Sequence, residues 1–272
     1  MATPPQLVKM RNLVPSINVM VYGEVGTGKT PWIKDCDFII ATETEGLISA
    51  QRAGSTADVW ECHEWSDVIA AVKYLKDEKP DYKLCGLDSS TRAARLSMKA
   101  AMDAAYARSP EKRNIDLPDK GEHQLVQNQM KRLHEDLVLH TPYDFVFTAL
   151  PMQTENMQGD TKILPSIPGQ QGDLSRGICA HMTCVGYMEA RNRTKGEGVF
   201  QRIHWQPYQD GTYLGRSRLG VLGAKTDNVS LLEIMDRLKE FKDPSATGTR
   251  RSTTATTTTR RAPARRTRRA VS

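Results

Sequence analysis

The sequence of 272 residues predicts an α/β fold with a mainly parallel sheet flanked by helices. Short apolar runs at residues 17–22 and 38–42, and a third that ends at Asp88, alternate with helical spacing, which is typical of strands joined by crossover helices. Two later apolar segments, at 179–190 and 199–205, are separated by a polar turn. They predict a C-terminal antiparallel hairpin that extends the parallel sheet.

The composition predicts a soluble protein of the reducing cytoplasm. No apolar stretch approaches the ~20 residues that span a bilayer, and residues 1–12 lack the apolar core of a secretion signal. The five cysteines are dispersed without a C-x-x-C pair and fit no common zinc spacing, so we expect free, buried thiols. We expect an extended lead-in at 1–16 and one large domain at 17–243.

Residues 23–30 form the segment around which this domain is predicted to be organised. They fit G-x-x-x-x-G-K-[ST], the P-loop pattern, and follow the first apolar run directly. The glycines allow successive N–H groups to point at one anion, and the helix that follows adds its positive N-terminal end. The pattern assigns Lys29 to the β- and γ-phosphates and Thr30 to Mg²⁺. We therefore expect nucleoside triphosphate binding by Gly23, Glu24, Val25, Gly26, Thr27, Gly28, Lys29 and Thr30.

Two carboxylates follow the second apolar run. Glu43 and Glu45 are two residues apart, and on a strand such residues face the same side. At the carboxyl edge of a parallel sheet that side can face the nucleotide site. An exposed acidic turn explains the same local sequence equally well.

The third apolar run ends at Asp88-Ser89 and resembles a Walker B strand. Asp88 is expected to hold the Mg²⁺ shell, directly or through water. The interpretation gains support because this run follows the P-loop by one strand and one helix.

Three later segments have candidate roles with open alternatives. The end of the strand predicted at 144–150 is suited to sensing a γ-phosphate, although an ordinary loop is as consistent. Residues 153–176, rich in Gly, Pro and Gln, predict a long functional or mobile loop. Arg216 and Arg218 lie in a glycine-flanked turn and are candidates to reach a phosphate, including one in a neighbouring subunit. The alternative is that both arginines are solvated surface residues.

The basic charge of the chain is concentrated in residues 244–272. This segment contains eight arginines and no acidic residue, so the formal net charge of +6 falls to −2 when they are left out. Its Thr, Ser, Ala, Pro and Arg composition cannot bury a core and predicts disorder. Such arms commonly bind nucleic acid by neutralising phosphates. A solubilising or partner-docking tail is the alternative.

The order of these motifs resembles that of the RecA-like ATPases. More narrowly, it is similar to the small phage-encoded recombination ATPases of the Sak-four type, which combine a RecA-like core with single-strand DNA binding and annealing. The resemblance covers roughly residues 17–241, and only the P-loop is specific in itself. It implies a RecA-like P-loop fold, ATP and Mg²⁺, DNA-stimulated hydrolysis, a homo-oligomer and the cytoplasm of a bacterial host.

The resemblance also implies roles for individual residues. An acidic residue after the second strand polarises the attacking water, which points to Glu45 or Glu43 without choosing between them. The Arg216/Arg218 turn lies where the family places cations that act across a subunit interface. The segment 153–176 lies where such proteins contact single-stranded DNA, yet Lys162 and Arg176 are its only cations.

Three alternatives remain open at this point. The first is a helicase loader or packaging-type P-loop motor. The second is a DNA-binding or annealing protein in which ATP is only a switch, without significant hydrolysis. The third is a nucleotide or small-molecule kinase, although no acceptor-binding lid is evident in the sequence.

Overall fold

The computed structural model describes residues 16–155, 159–168, 173–192, 199–206 and 211–242. The predicted lead-in before Ser16 and the predicted tail 244–272 lie outside these residues. Among the helices that are described, none is long and apolar enough to cross a membrane.

Parallel strands form the centre of the fold. The strands are β1 (Asn18–Tyr22), β2 (Phe38–Ala41), β3 (Asp58–Glu61), β4 (Leu84–Asp88), β5 (Asp144–Ala149), β6 (Pro151–Glu155), β7 (Thr161–Pro165), β8 (Cys184–Asn192), β9 (Val199–His204), β10 (Arg216–Ser217) and β11 (Lys225–Asp227). Within the described residues, nine of them form one sheet in the order β11-β9-β8-β1-β5-β4-β2-β3, with β10 paired to β8. The strands from β8 to β3 in this order are parallel. One strand, β5, therefore separates the P-loop strand β1 from the Asp88 strand β4.

The helices cover both faces of this sheet. They are α1 (Lys29–Trp32), α2 (Thr44–Arg52), α3 (Trp65–Asp77), α4 (Ser90–Arg108), α5 (Lys120–Leu139), α6 (Asp173–His181) and α7 (Leu231–Lys242). The β1 side chains alternate between two apolar clusters: Met20 and Tyr22 pack with α3 to α6, while Val19 and Val21 pack with α1 and α7. Burial on both faces is why β1 is apolar from Val19 to Tyr22 rather than alternating in polarity.

The antiparallel extension predicted at the C-terminal end is present. Strands β8 and β9 pair antiparallel from Tyr187↔His204 to Asn192↔Val199, and β11 continues the sheet beyond β9. The predicted α/β fold, with a mainly parallel sheet flanked by helices and a C-terminal antiparallel hairpin, is therefore confirmed.

The prediction of one long loop over 153–176 is wrong. Residues 153–155 and 161–165 of this stretch belong to a second, two-stranded sheet in which β6 and β7 pair antiparallel, and helix α6 begins at Asp173. The Tyr22 hydroxyl holds the hairpin by donating to the Ile163 carbonyl at 3.0 Å. Gly, Pro and Gln content concealed these strands because the edges of a two-stranded ribbon tolerate residues that central strands exclude.

Candidate functional site

The P-loop backbone folds as a turn that only glycine accommodates at two positions. Gly26 and Gly28 have φ values of 81° and 87°, a left-handed conformation that side chains rarely adopt. The Thr27 hydroxyl donates to the Glu24 carbonyl at 2.9 Å and closes the turn. Gly23 serves a different purpose, since a Cβ there would lie 2.1 Å from the Met188 carbonyl oxygen of β8.

Lys29 is buried inside this turn. Its Nζ donates to the carbonyl oxygens of Gly23 and Glu24 at 2.7 and 2.8 Å. Burial lowers the pKa of Lys29, while the carboxylates of Asp88, Glu43 and Glu24 act in the opposite direction. A buried ammonium held by neutral carbonyls is placed to compensate an anion bound in the same turn.

Thr30 and Asp88 are brought together across the sheet. The Thr30 hydroxyl donates to Asp88 Oδ2 at 2.7 Å, and the Thr148 hydroxyl donates to Oδ1 of the same carboxylate. Burial raises the pKa of Asp88, and these two hydrogen bonds oppose that shift. Thr148, at the end of the strand predicted at 144–150, therefore binds the Asp88 carboxylate. The sequence could not identify Asp88 as the partner of Thr148, because it does not reveal the order of the strands in the sheet.

The two candidate glutamates are placed differently. Glu43 lines the cleft beside the P-loop, and its Oε1 accepts a hydrogen bond of 2.9 Å from the Ser89 hydroxyl. Glu45 is exposed in the first turn of α2. The expectation that both carboxylates share one face of a strand is wrong, because β2 ends at Ala41 and helix α2 begins at Thr44.

Thr42 connects the ends of β2 and β4. Its hydroxyl accepts from the Ser89 N–H at 2.8 Å and lies 3.1 Å from the Asp88 carbonyl oxygen, to which it donates. Sequence analysis gave no role to Thr42 or Ser89. A polar pair directly after each buried strand is the signal that identifies them, since strand ends on the carboxyl side meet at one edge.

The cleft bounded by these groups has a volume of about 380 Å³. Its walls are the P-loop, Glu43 with the start of α2, the end of β4, and Leu150 after β5. The groups present fit a nucleoside triphosphate with Mg²⁺. Lys29 and the backbone N–H groups of the turn can bind phosphate. The Thr30 hydroxyl and the Asp88 carboxylate are oxygen ligands of the kind that Mg²⁺ prefers. Mg²⁺, when bound, neutralises charge on the phosphate oxygens.

Arg216 and Arg218 are not brought to this cleft. Arg216 pairs with Val185 near the start of β8, toward the amino edge of the sheet and away from the P-loop. The Arg216 guanidinium donates to the Ala180 carbonyl at 3.4 Å, and Arg218 donates to the carbonyls of Ala180 and Met182. In their own chain both arginines thus bind carbonyls at the end of α6. A role across a subunit interface stays a prediction.

Gln201 is a contact of the P-loop that sequence analysis missed. Its side-chain Nε2 donates to the Thr27 carbonyl at 2.9 Å from strand β9, 174 residues away in the chain. Nothing in the local sequence around Gln201 predicts this, because the contact depends on the antiparallel extension lying beside β1.

The five cysteines are free and buried, as expected. Burial raises the pKa of every one of these thiols, to about 12 for Cys62 and Cys179 and about 11 for Cys184. Side chains of this kind pack as small apolar groups, not as reactive thiolates.

One protein-family model matches the part of the chain that forms the cleft. The model of the AAA_24 family, described as an AAA domain, matches residues 16–219. No protein among those with curated functions matches the chain.

Two solved structures show partial similarity. One is an ATPase from the type III secretion system of pathogenic bacteria, with 16% identity over 64% of this chain and 52% of that one, at a TM-score of 0.40. The other is a KaiC-like protein from Pyrococcus horikoshii OT3, with 12% identity over 70% of this chain and 78% of that one, at a TM-score of 0.35. The chain therefore spans about half the length of the first structure.

The family match covers more than half of the chain and includes the P-loop, Glu43, Asp88 and Thr148. The chain belongs to the AAA_24 family, and residues 16–219 are a P-loop ATPase domain of the AAA type.

Proposed function

We propose that the protein binds ATP with Mg²⁺ in the cleft and hydrolyses it. The observation that carries this proposal is the convergence of Lys29, Thr30, Asp88 and Glu43 from three separate elements on one cleft. A phosphate-binding turn without the acidic groups would support binding alone. The combination supports phosphoryl transfer to water, in which positioning and charge stabilisation carry most of the catalysis.

Each side chain has a distinct task in this proposal. Lys29 compensates the charge of the β- and γ-phosphates, and Thr30 and Asp88 hold Mg²⁺. Glu43 accepts a proton from the attacking water and orients it, and the hydrogen bond from Ser89 fixes the carboxylate for that task. The exposed position of Glu45 favours Glu43 for this role.

We further propose that the ATPase acts on single-stranded DNA in recombination or annealing. It would do so as a homo-oligomer in the cytoplasm of a bacterium infected by phage. The eight arginines of 244–272 support nucleic-acid binding, and the resemblance to the Sak-four type supports the strand preference. The basic segment is a better candidate for DNA contact than 153–176, which forms a hairpin and the start of a helix with few cations.

ATP hydrolysis by the purified protein, with and without single-stranded DNA, tests both parts of the proposal. Lys29→Ala is expected to abolish hydrolysis, while Lys73→Ala, which alters an exposed lysine on α3, serves as the matched control. Stimulation by single strands supports a recombination ATPase. Binding of ATP without hydrolysis under either condition would overturn the proposed ATPase and favour an ATP-switched annealing protein.

A further inference from the structure

Strand β9 supplies a side chain to the P-loop from outside the parallel core. Gln201 Nε2 donates a hydrogen bond of 2.9 Å to the carbonyl oxygen of Thr27, the residue before Gly28. The donor therefore acts on one peptide group of the phosphate-binding turn. Gly28 lines the cleft, whereas Gln201 lies on the other side of that peptide, beside Pro31 and Asn228.

The geometry of a peptide gives this contact a consequence. In a planar trans peptide the C=O and N–H groups point in opposite directions. A donor that fixes the Thr27 carbonyl on the Gln201 side therefore turns the Gly28 N–H away from Gln201. That direction leads toward the cleft, where backbone N–H groups of a P-loop bind phosphate oxygens.

The Gln201 backbone is itself held in place. Its N–H donates to Asn228 Oδ1 at 2.8 Å, and the Asn228 N–H donates back to the Gln201 carbonyl at 2.8 Å. The next residue, Val229, accepts a hydrogen bond of 2.8 Å from Trp32 Nε1 of α1. The same segment thus anchors both the P-loop peptide and the short helix that follows the P-loop.

The space at Gly28 is adapted to the same contact. A Cβ at this position would lie 2.0 Å from Gln201 Nε2, in addition to the strain imposed by its φ of 87°. Glycine at position 28 therefore permits both the turn and the approach of the amide.

We propose that Gln201 is a positioning residue that orients the Thr27–Gly28 peptide for phosphate binding. The inference rests on the proposed function, because it concerns the same nucleotide site. The ligand class is a polyphosphate, the triphosphate of ATP or inorganic tripolyphosphate alike. Since the Gly28 N–H contacts phosphate before and during reaction, its orientation affects binding more than chemistry.

Gln201→Met tests the proposal, because methionine keeps the length of the side chain and removes the donor. Affinity for ATP and for tripolyphosphate, measured by calorimetry, is expected to fall about 10-fold in this variant. The affinity is expected to fall further in Gln201→Glu, because a carboxylate would face the Thr27 carbonyl and add negative charge beside the bound phosphates. Gln124→Ala, an exposed glutamine on α5, is the matched control.

Steady-state kinetics separate positioning from a merely structural role. Gln201→Met is expected to raise KM for ATP about 10-fold with kcat nearly unchanged, whereas partial unfolding would lower kcat and the midpoint of thermal unfolding. Unchanged affinity for both polyphosphates in Gln201→Met would overturn the inference, even if Lys29→Ala loses binding. Retention of full ATP affinity in Lys29→Ala would instead overturn the proposed function, so the two failures are distinguishable.

Discussion

The hydroxyl of Thr30 donates a hydrogen bond of 2.7 Å to the carboxylate of Asp88, although 58 residues separate them in the chain. Strand β5 lies between β4, which ends at Asp88, and β1, which leads through the P-loop to Thr30 in α1. Thr148, at the end of β5, donates to the other oxygen of the same carboxylate. The carboxylate is thus fixed by one hydroxyl group from the first turn of α1 and one from the end of β5, in the place that the sequence pattern assigns to Mg²⁺.

Replacing this carboxylate should separate nucleotide binding from hydrolysis. In Asp88→Asn the shape of the side chain is kept and its charge is lost, so Mg²⁺-dependent hydrolysis should fall by about 10²-fold or more. ATP affinity measured without Mg²⁺ should change little. Thr148→Val, which keeps the charge and removes one hydrogen bond, should show a smaller loss; equal losses in the two variants would contradict the role given to the charge.

Glu43→Gln and Glu45→Gln form a matched pair that differs only in position. Glu43 lines the cleft and Glu45 is exposed on α2, so Glu43→Gln should lower kcat by about 10²–10⁴-fold, as expected when a general base is removed. Glu45→Gln should stay within about 2-fold of the unaltered protein, because solvent screens its charge. Single-turnover hydrolysis with bound ATP is the measurement. The reverse order of effects would reassign the water-orienting role to Glu45.

His134 should make the stability of the fold depend on pH. Its Nδ1 lies 2.8 Å from the Met130 carbonyl, which can only accept, so Nε2 accepts from the Ser90 hydroxyl at 3.1 Å. Burial lowers the pKa of His134 to about 4, whereas an unfolded histidine titrates near 6.5. Between these values the unfolded state binds more protons, so stability falls as the pH decreases.

Urea unfolding at pH 7 and pH 5 measures this effect. The unaltered protein should lose about 2 kcal/mol of unfolding free energy from His134 across this interval. His134→Gln should be less stable at pH 7, since it disturbs a buried contact, but its stability should depend less on pH. Parallel pH profiles for the two proteins would show that His134 is not the titrating group.

Removal of residues 244–272 should weaken DNA binding and flatten its salt dependence. Each phosphate of a single strand that is neutralised contributes roughly 0.7 to the logarithmic salt slope, so losing eight arginines should reduce the slope by up to about 6. Replacing the same arginines by glutamine keeps the length of the segment and should have the same effect. ATP affinity should not change in either variant. An unaltered salt slope would exclude the basic segment as the DNA-binding element.

The sequence predicted the parts of this site that are local. The P-loop is encoded in eight consecutive residues, and the buried strand before it is apolar from Val19 to Tyr22. It could not choose between Glu43 and Glu45, because the choice depends on whether the chain turns from strand to helix after Ala41. Thr148 and Gln201 were also missed as partners of the site. Both act through the order of strands in the sheet, and that order is set by tertiary packing, not by local propensity.

Helix α7 begins beside α1, the helix that follows the P-loop, and ends near the start of β5. Its first residue follows Ser230, near Trp32, while Lys239 forms an ion pair of 3.2 Å with Asp144 at the start of β5. Twelve helical residues span about 18 Å, roughly twice the Debye length of about 8 Å at physiological ionic strength. Salt therefore screens charges at this far end of α7, such as that of Lys239, from a phosphate bound at the P-loop.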